Sequence, residues 1–167
     1  MDAVEKFRAA GETHDVELAM ATCAADVVVH SPLTDRATFR GRAEARRLFE
    51  VVYDQFEQLR YDEPLGAGRR WALFGSATVG GQRIQAALHL TLDESGSIAE
   101  VTLYIRPLPG LTAVMAALGP PLARRYGRSR LTAALLRAMV APLVFFTRAG
   151  DRAGIPLALP ESGRPST

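Results

Sequence analysis

The sequence contains few residues of the kinds that cross-link chains or bind metals. Its 167 residues include one cysteine, one lysine, one tryptophan and three histidines. The single cysteine, Cys23, excludes an internal disulfide and leaves no cysteine cluster for zinc. Because Cys23 lies in an apolar helical stretch without a cationic neighbour, we expect a buried thiol rather than a nucleophile. The sequence therefore predicts no metal, no cofactor and a reducing, cytoplasmic location.

The sequence also lacks an uninterrupted apolar run that could span a membrane. Its most apolar segment, residues 131–146, is interrupted by Arg137 and Pro142. A spanning helix needs about 20 predominantly apolar residues. The first residues, MDAVEKF, contain neither the basic region nor the apolar region of a secretory signal. Three uses of the apolar segment stay open: a lid over a pocket, a dimer interface and a peripheral membrane contact. We expect it to pack against the rest of the chain or a sister chain rather than on a membrane.

Acidic residues are scarce in the C-terminal third. Residues 1–110 carry 12 basic and 16 acidic side chains, whereas residues 111–167 carry 8 basic and 2 acidic ones. An arginine cluster lies between the apolar C-terminal segments: Arg124, Arg125, Arg128 and Arg130. Such a cluster is typical of a solvated helix connection or of a contact with anionic lipid. No nucleic-acid-binding motif accompanies it, so we expect no nucleic-acid partner.

Hydrophobic periodicity predicts helices first and strands later. The N-terminal part is predicted to contain a helix over residues 2–11, a helix over 16–25, a strand over 26–30, a loop over 34–41 and a helix over 41–59. From residue 69 to 106 the period becomes two, and three strands are separated by turns at Gly80-Gly81 and at residues 93–96. We therefore predict a strongly curved antiparallel sheet.

A helical pattern returns after Pro107. We predict two helices, the first broken at Gly119-Pro120-Pro121 and the second kinked at Pro142. The predicted organisation is one domain over residues 1–110, a helical extension over 111–155 that packs on it, and a disordered tail over 156–167. The fold class is α+β.

Three segments in this order resemble the nuclear transport factor 2-like superfamily, which includes ketosteroid isomerases and SnoaL-like polyketide cyclases. The segments are residues 14–33, 39–49 and 93–105. The resemblance implies a curved antiparallel sheet that forms a cone closed by the N-terminal helices. It also implies a deep pocket for a hydrophobic small molecule, often polycyclic, and a homodimer.

The three catalytic positions of ketosteroid isomerases hold other residue types here. The resemblance places the carboxylate base at Ser31, the tyrosine at Phe7 and the protonated aspartate at Leu88. A serine does not accept a proton at neutral pH, and neither Phe7 nor Leu88 can donate a hydrogen bond to an oxyanion. The sequence therefore predicts a pocket without this catalytic set.

Two histidines lie next to these positions. His30 precedes Ser31 and His89 follows Leu88, so strand alternation directs both imidazoles to the outer face if Ser31 and Leu88 face inward. With a shifted register both would enter the pocket and could transfer protons near pH 7. The candidate catalytic residues are therefore His30, Ser31 and His89.

Apolar residues predicted to line the pocket supply the candidate ligand contacts. These are Phe7 of the first helix, Trp71 at the start of a strand, and Ala86, Leu88, Val101, Leu103 and Ile105 of the predicted sheet. Two hypotheses stay open at this point. One is an isomerase, cyclase or hydratase acting on a hydrophobic metabolite; the other is a non-catalytic carrier of an apolar ligand or lipid.

Overall fold

A computed structural model describes residues 2–158 of the chain, which fold as helices packed against one side of a curved sheet. The first helices and strands are α1 (Ala3–Thr13), α2 (Val16–Thr22), β1 (Cys23–His30), β2 (Thr38–Arg40), α3 (Gly41–Gln55), β3 (Glu57–Tyr61) and β4 (Leu65–Ala67). They are followed by β5 (Arg70–Val79), β6 (Gln82–Leu92), β7 (Ile98–Arg106), α4 (Leu108–Arg125), α5 (Arg130–Ala149), a wide π-helical turn (Gly150–Gly154) and α6 (Ile155–Ala158).

The sheet has the strand order β2-β1-β7-β6-β5-β3, and β4 pairs with β5 at one end. The β5–β6 and β6–β7 hairpins are antiparallel, which confirms the predicted three-strand meander. The β1–β7 ladder is parallel, because these strands are not joined by a hairpin that would reverse the chain. The predicted α+β class with a curved, unclosed sheet and N-terminal and C-terminal helices is confirmed.

Both N-terminal helices begin at an aspartate cap. The carboxylates of Asp2 and Asp15 accept hydrogen bonds from the backbone N–H groups of Glu5 and Leu18, each at 2.9 Å. The expected stop at Gly11 is wrong, since α1 continues to Thr13. Gly11 serves packing instead, because a Cβ there would lie 2.6 Å from the ring of Tyr61.

Three short strands were not predicted. β2 lies inside the predicted loop, and only Phe39 of its three residues is buried. β3 lies at the end of the predicted long helix, where Gln58 has a φ of 54° and the ladder shifts register. This irregularity removes the alternation by which a strand is recognised in sequence. All three residues of β4 are exposed, so the strand has no buried face and no alternation of apolar and polar residues that would mark it in the sequence.

The C-terminal helices are longer and more regular than the sequence predicts. α4 continues through Pro120 and Pro121, and α5 continues through Pro142, so the predicted break is wrong. Packing compensates for the missing N–H donors of the prolines: α4 lies between the sheet and α3 on one side and α5 on the other. Of the predicted disordered tail, residues 156–158 belong to α6, and residues 159–167 lie outside the described residues.

The hydrophobic core fills the space between the inner face of the sheet and the N-terminal helices. Phe7 of α1 meets Phe49 of α3 edge to face, with ring centroids 5.6 Å apart. Alternate residues of the strands face this core and are fully buried, including Val27, Val29, Leu73, Leu90 and Val101. The core therefore occupies most of the cone, and an apolar cavity is left where the sheet meets α4.

Candidate functional site

An apolar cavity of about 140 Å³ lies between the end of β7, α3, α4 and the loop that follows β1. Its wall is aliphatic and aromatic over most of its area, formed by residues such as Phe39, Leu48, Phe49, Val52, Leu103 and Val114. Helices α3 and α4 and the loop after β1 therefore enclose this space at the end of β7.

The loop after β1 forms the mouth of this cavity. Pro32 ends the strand, and the chain then turns through Leu33 and Thr34 before β2 begins. The Ser31 hydroxyl accepts a hydrogen bond from the Leu33 backbone N–H at 3.1 Å, and the Ser31 N–H donates to the Ala37 carbonyl at 3.4 Å. Ser31 lies at the cavity, as the resemblance implies, and its hydroxyl is engaged in the turn.

Helix α4 forms the roof of the cavity. Val114, Leu118 and Leu122 follow one another at intervals of four residues, so they lie on one face of the helix and point to the cavity. Sequence reasoning missed all three, because a helix predicted to break at Gly119 cannot present this stripe. The four-residue spacing was the signal that could have identified them.

The side chains of His30 and His89 lie on the outer face of the sheet. Val29 is fully buried on the inner face, so the following His30 points outward, where its Nε2 lies 2.8 Å from Oε1 of Glu100. His89 is exposed and is paired across the ladder with Thr102 of β7. His30 contributes to the cavity rim, whereas His89 does not reach the cavity. The alternative of a shifted register with both imidazoles in the pocket is wrong, because Leu88 and Val29 occupy the inner face.

Two of the seven predicted ligand contacts line the cavity. Leu103 and Ile105 of β7 face it from the sheet. Phe7, Leu88 and Val101 are closed inside the core, with exposed fractions of 1%, 3% and 0%, and do not line the cavity. The sequence pattern assigns a residue to a face of the sheet, and packing decides whether that face meets a helix or open space.

The remaining two predicted contacts lie elsewhere. Ala86 borders a second depression, of about 400 Å³, which is flanked by Phe74 and Tyr104. Trp71 belongs to the β4–β5 hairpin, where its indole N–H donates to the Gly68 carbonyl at 3.0 Å. Trp71 therefore stabilises a turn at the edge of the sheet.

Buried titratable groups near the cone interior are held neutral. Burial raises the pKa of the Cys23 thiol to about 11 and raises the pKa of the Tyr53 phenol above its ordinary range. Cys23 is fully buried as expected, although it begins β1 rather than lying in a helix and the Arg42 guanidinium donates hydrogen bonds to its carbonyl. Burial outweighs the charge of Arg42 in setting the pKa of the thiol. Neither group supplies a base or nucleophile at neutral pH. Among residues 2–158, no three His, Cys, Asp or Glu side chains lie close enough together to hold a metal ion.

Comparison with known proteins agrees with this architecture. A family model described as the SnoaL-like domain matches residues 4–101, which end within β7 and exclude α4 and α5. No protein in the curated set matches the chain. Solved structures do match, and the similarity extends over most of their length.

One similar structure is an uncharacterized bacterial protein with a cystatin-like fold from Silicibacter pomeroyi, 25% identical over 74% of this chain and 84% of that chain, with a TM-score of 0.65. A steroid delta-isomerase from Pseudomonas aeruginosa is 24% identical over 75% of this chain and 89% of that chain, with a TM-score of 0.63. A de novo designed protein with a curved β-sheet also matches, with 13% identity, 63% and 83% coverage and a TM-score of 0.54. The match to a designed protein illustrates that structural similarity of this degree reflects the path of the backbone and does not by itself indicate a function.

Proposed function

The chain belongs to the SnoaL-like domain family, and we propose that it binds one compact apolar small molecule in the cavity beneath α4. The cavity is the observation that carries this proposal. Its wall offers aliphatic and aromatic surface and almost no polar atoms, so a ligand would be held by burial of apolar area, at roughly 25 cal/mol per Å². The family suggests a small-molecule isomerase or cyclase type of protein. The proposal of a compact apolar ligand depends on the apolar lining of the cavity.

The size of the cavity limits the ligand. An apolar cavity of about 150 Å³ is large enough for benzene, whereas drug-sized ligands occupy roughly 300–1,000 Å³. The cavity described here has about 140 Å³, so it fits a single ring. A polycyclic ligand, which the family resemblance implies, would require displacement of the α4 roof.

The polar groups at the cavity support binding better than proton transfer. The Ser31 hydroxyl already accepts a backbone hydrogen bond, and the His30 imidazole is paired with Glu100 on the opposite face of the sheet. A general base needs to lie within hydrogen-bond reach of the proton that it removes. Ser31 is therefore proposed as a rim residue that helps to orient the ligand, and apolar contacts supply most of the affinity.

A second candidate function is an isomerase or cyclase activity on the same ligand. The observation that favours it is the His30–Glu100 pair at the rim, because a carboxylate fixes the orientation of an imidazole in many acid–base sites. His30→Ala separates the two functions. It abolishes turnover of a ligand if His30 transfers protons, and it leaves the affinity unchanged in either case.

The proposed binding can be tested with toluene as an apolar probe of suitable size. We expect amide NMR shifts to cluster around Leu103, Val52 and Val114, and Leu103→Phe to weaken binding at least tenfold by filling the cavity. Leu92→Phe is the matched control, since Leu92 is half-buried and lies outside the cavity. Equal affinity in the Leu103→Phe variant and the wild type would refute the proposal.

Native mass spectrometry of the purified chain complements the probe. A small apolar molecule bound at one per chain is the expected result, and the same spectrum reports the oligomeric state. The homodimer that the resemblance implies stays a prediction. Phe74 and Tyr104, exposed by 45% and 59% on the outer face of the sheet, form an apolar patch on which a second copy could pack.

A further inference from the structure

Helix α5 exposes a broad apolar face. Five large side chains on it are between 58% and 79% exposed: Leu131, Leu135, Met139, Phe145 and Phe146. Only Ala133 of this 20-residue helix is buried. Large contiguous apolar surfaces on a single protein mark contact sites for other molecules, because their exposure to water is unfavourable.

The opposite face of α5 is fixed to α4, which determines the direction of the apolar face. The hydroxyl groups of Thr112 in α4 and Thr147 in α5 lie 2.9 Å apart, and a guanidinium nitrogen of Arg148 donates to the Gly80 carbonyl at 3.0 Å. At 100° per residue, Leu131, Leu135 and Phe145 lie roughly opposite Ala133 and Thr147, and the apolar face extends to one flank through Met139 and Phe146. The apolar face therefore points away from the cone.

Arginines border this face along one side. Arg130 and Arg137 follow each other at an interval of seven residues on α5, and Arg124 and Arg152 continue the row at its two ends. All four are exposed, and between residues 108 and 158 the only acidic residue is Asp151. Among the described residues, no carboxylate forms an ion pair with these four arginines.

The arginine row differs from the cluster predicted from sequence. Arg125 pairs with Glu50 and with Asp54 of α3, the latter at 3.3 Å, so its charge is used inside the fold. Arg125 is therefore left out of the arginine row. Arg128 is exposed in the α4–α5 connection, and Arg137, which sequence reasoning treated as an interruption of the apolar segment, belongs to the row.

We propose that α5 lies in the surface of an anionic phospholipid membrane, with its apolar face inserted and the arginine row at the head groups. An amphipathic helix with leucine and phenylalanine on one side and arginine beside them binds anionic interfaces by these two contributions. A second copy of the chain is the less suitable partner. Antiparallel two-fold pairing of two α5 faces would place the arginine rows of both copies on the same side, close together.

The helix is placed in the surface rather than across the membrane. Residues 130–157 form one helical stretch of 28 residues that is long and apolar enough to cross a membrane, contrary to the prediction from the interrupted 16-residue run. However, one side of α5 is held by α4, and Arg137 lies near the middle of its length. A helix in this position can present one face to lipid while the other remains on the protein.

Co-sedimentation of the full chain with vesicles tests this proposal. We expect binding to phosphatidylcholine vesicles that contain phosphatidylglycerol, weak binding to phosphatidylcholine alone, and weaker binding as salt is added. Leu135→Glu should reduce partitioning about tenfold or more. Arg137→Glu should reduce it about fivefold or more. Leu65→Glu is the matched control, because Leu65 is 60% exposed, close to the 58% of Leu135, and lies on β4.

Four other outcomes would each contradict the proposal that α5 lies in the membrane surface. Vesicle binding that Leu135→Glu leaves unchanged would overturn the proposal, as would binding that is equal on neutral and anionic vesicles. A wild-type dimer that Leu135→Glu converts to a monomer, with no vesicle binding, would assign the face to a second copy. Retention of the chain in cell membranes after alkaline carbonate extraction would show a spanning helix instead.

Discussion

Leu88 and Leu103 allow a sharp test of where the cavity lies. The two residues are paired directly across the β6–β7 ladder, and both face inward. Leu88 is 3% exposed and surrounded by core residues, whereas Leu103 borders the cavity. Truncation of each to alanine removes the same atoms from the same part of the sheet, so any difference in stability reports the local packing.

The expected losses follow from what each side chain contacts. Leu88→Ala loses the transfer free energy of its buried carbon atoms and leaves a new void, at a cost of about 3–5 kcal/mol. Leu103→Ala adds to a space that exists already and removes fewer contacts, so we expect about 1–2 kcal/mol. At about 2–4 °C per kcal/mol, the melting temperature should fall roughly three times further for Leu88→Ala than for Leu103→Ala.

Urea unfolding followed by circular dichroism measures both losses, provided that the m value is the same as in the wild type. Leu103→Ala should also accept apolar probes larger than toluene, whereas Leu88→Ala should not. Equal losses of stability in the two variants, or a larger loss for Leu103→Ala, would show that Leu103 is packed as tightly as the core and that the cavity does not border it.

Two further predictions concern titratable residues. Because burial raises the pKa of Cys23 from 9.0 to about 11 and also raises that of Tyr53, the unfolded chain loses these protons first as the pH rises. The free energy of unfolding should therefore keep the full contribution of these groups below about pH 9 and decrease above it. Cys23 alone should lower it by about 2 kcal/mol at pH 10.5. Urea midpoints at pH 8 and pH 10.5 measure this fall, and Cys23→Ala should reduce it; an equal fall in both proteins would contradict the assignment. His30→Ala should cost less than about 1 kcal/mol, because the pair with Glu100 is partly exposed, and a larger loss in thermal unfolding would show a buried role.

The central strands could be predicted from sequence because their turns carry clear signals. Gly80 and Gly81 both have positive φ, at 53° and 72°, and the Asp93 carboxylate accepts backbone hydrogen bonds from Ser95 and Ser97. Glycine pairs and aspartate turns of this kind are recognisable without a structure. The other strands lack such signals, because β2 and β4 have only three residues each and the ladder of β3 shifts register.

The site was predicted less completely than the fold. The end of β1 and the inward faces of Leu103 and Ile105 follow from strand alternation, and the cavity confirms their place in its wall. Alternation does not show how deeply an inward-facing residue is buried, so Leu88 and Val101 are predicted in the pocket wall but lie inside the core. Phe7 of α1 fills the same core by packing against Phe49 of α3. The roof was missed because the proline pair suggested a break in α4.

The proline pair has a consequence for access to the cavity. Pro120 and Pro121 carry no N–H groups, so the backbone of α4 has two fewer donors in the turn that follows Leu118. Local opening of this turn breaks fewer hydrogen bonds than opening of a regular turn, which makes it the least costly portal in the roof. Because α5 packs on α4, opening of this turn would also disturb the contact between the two helices. The α4–α5 contact should therefore influence the rate at which a molecule enters the proposed site.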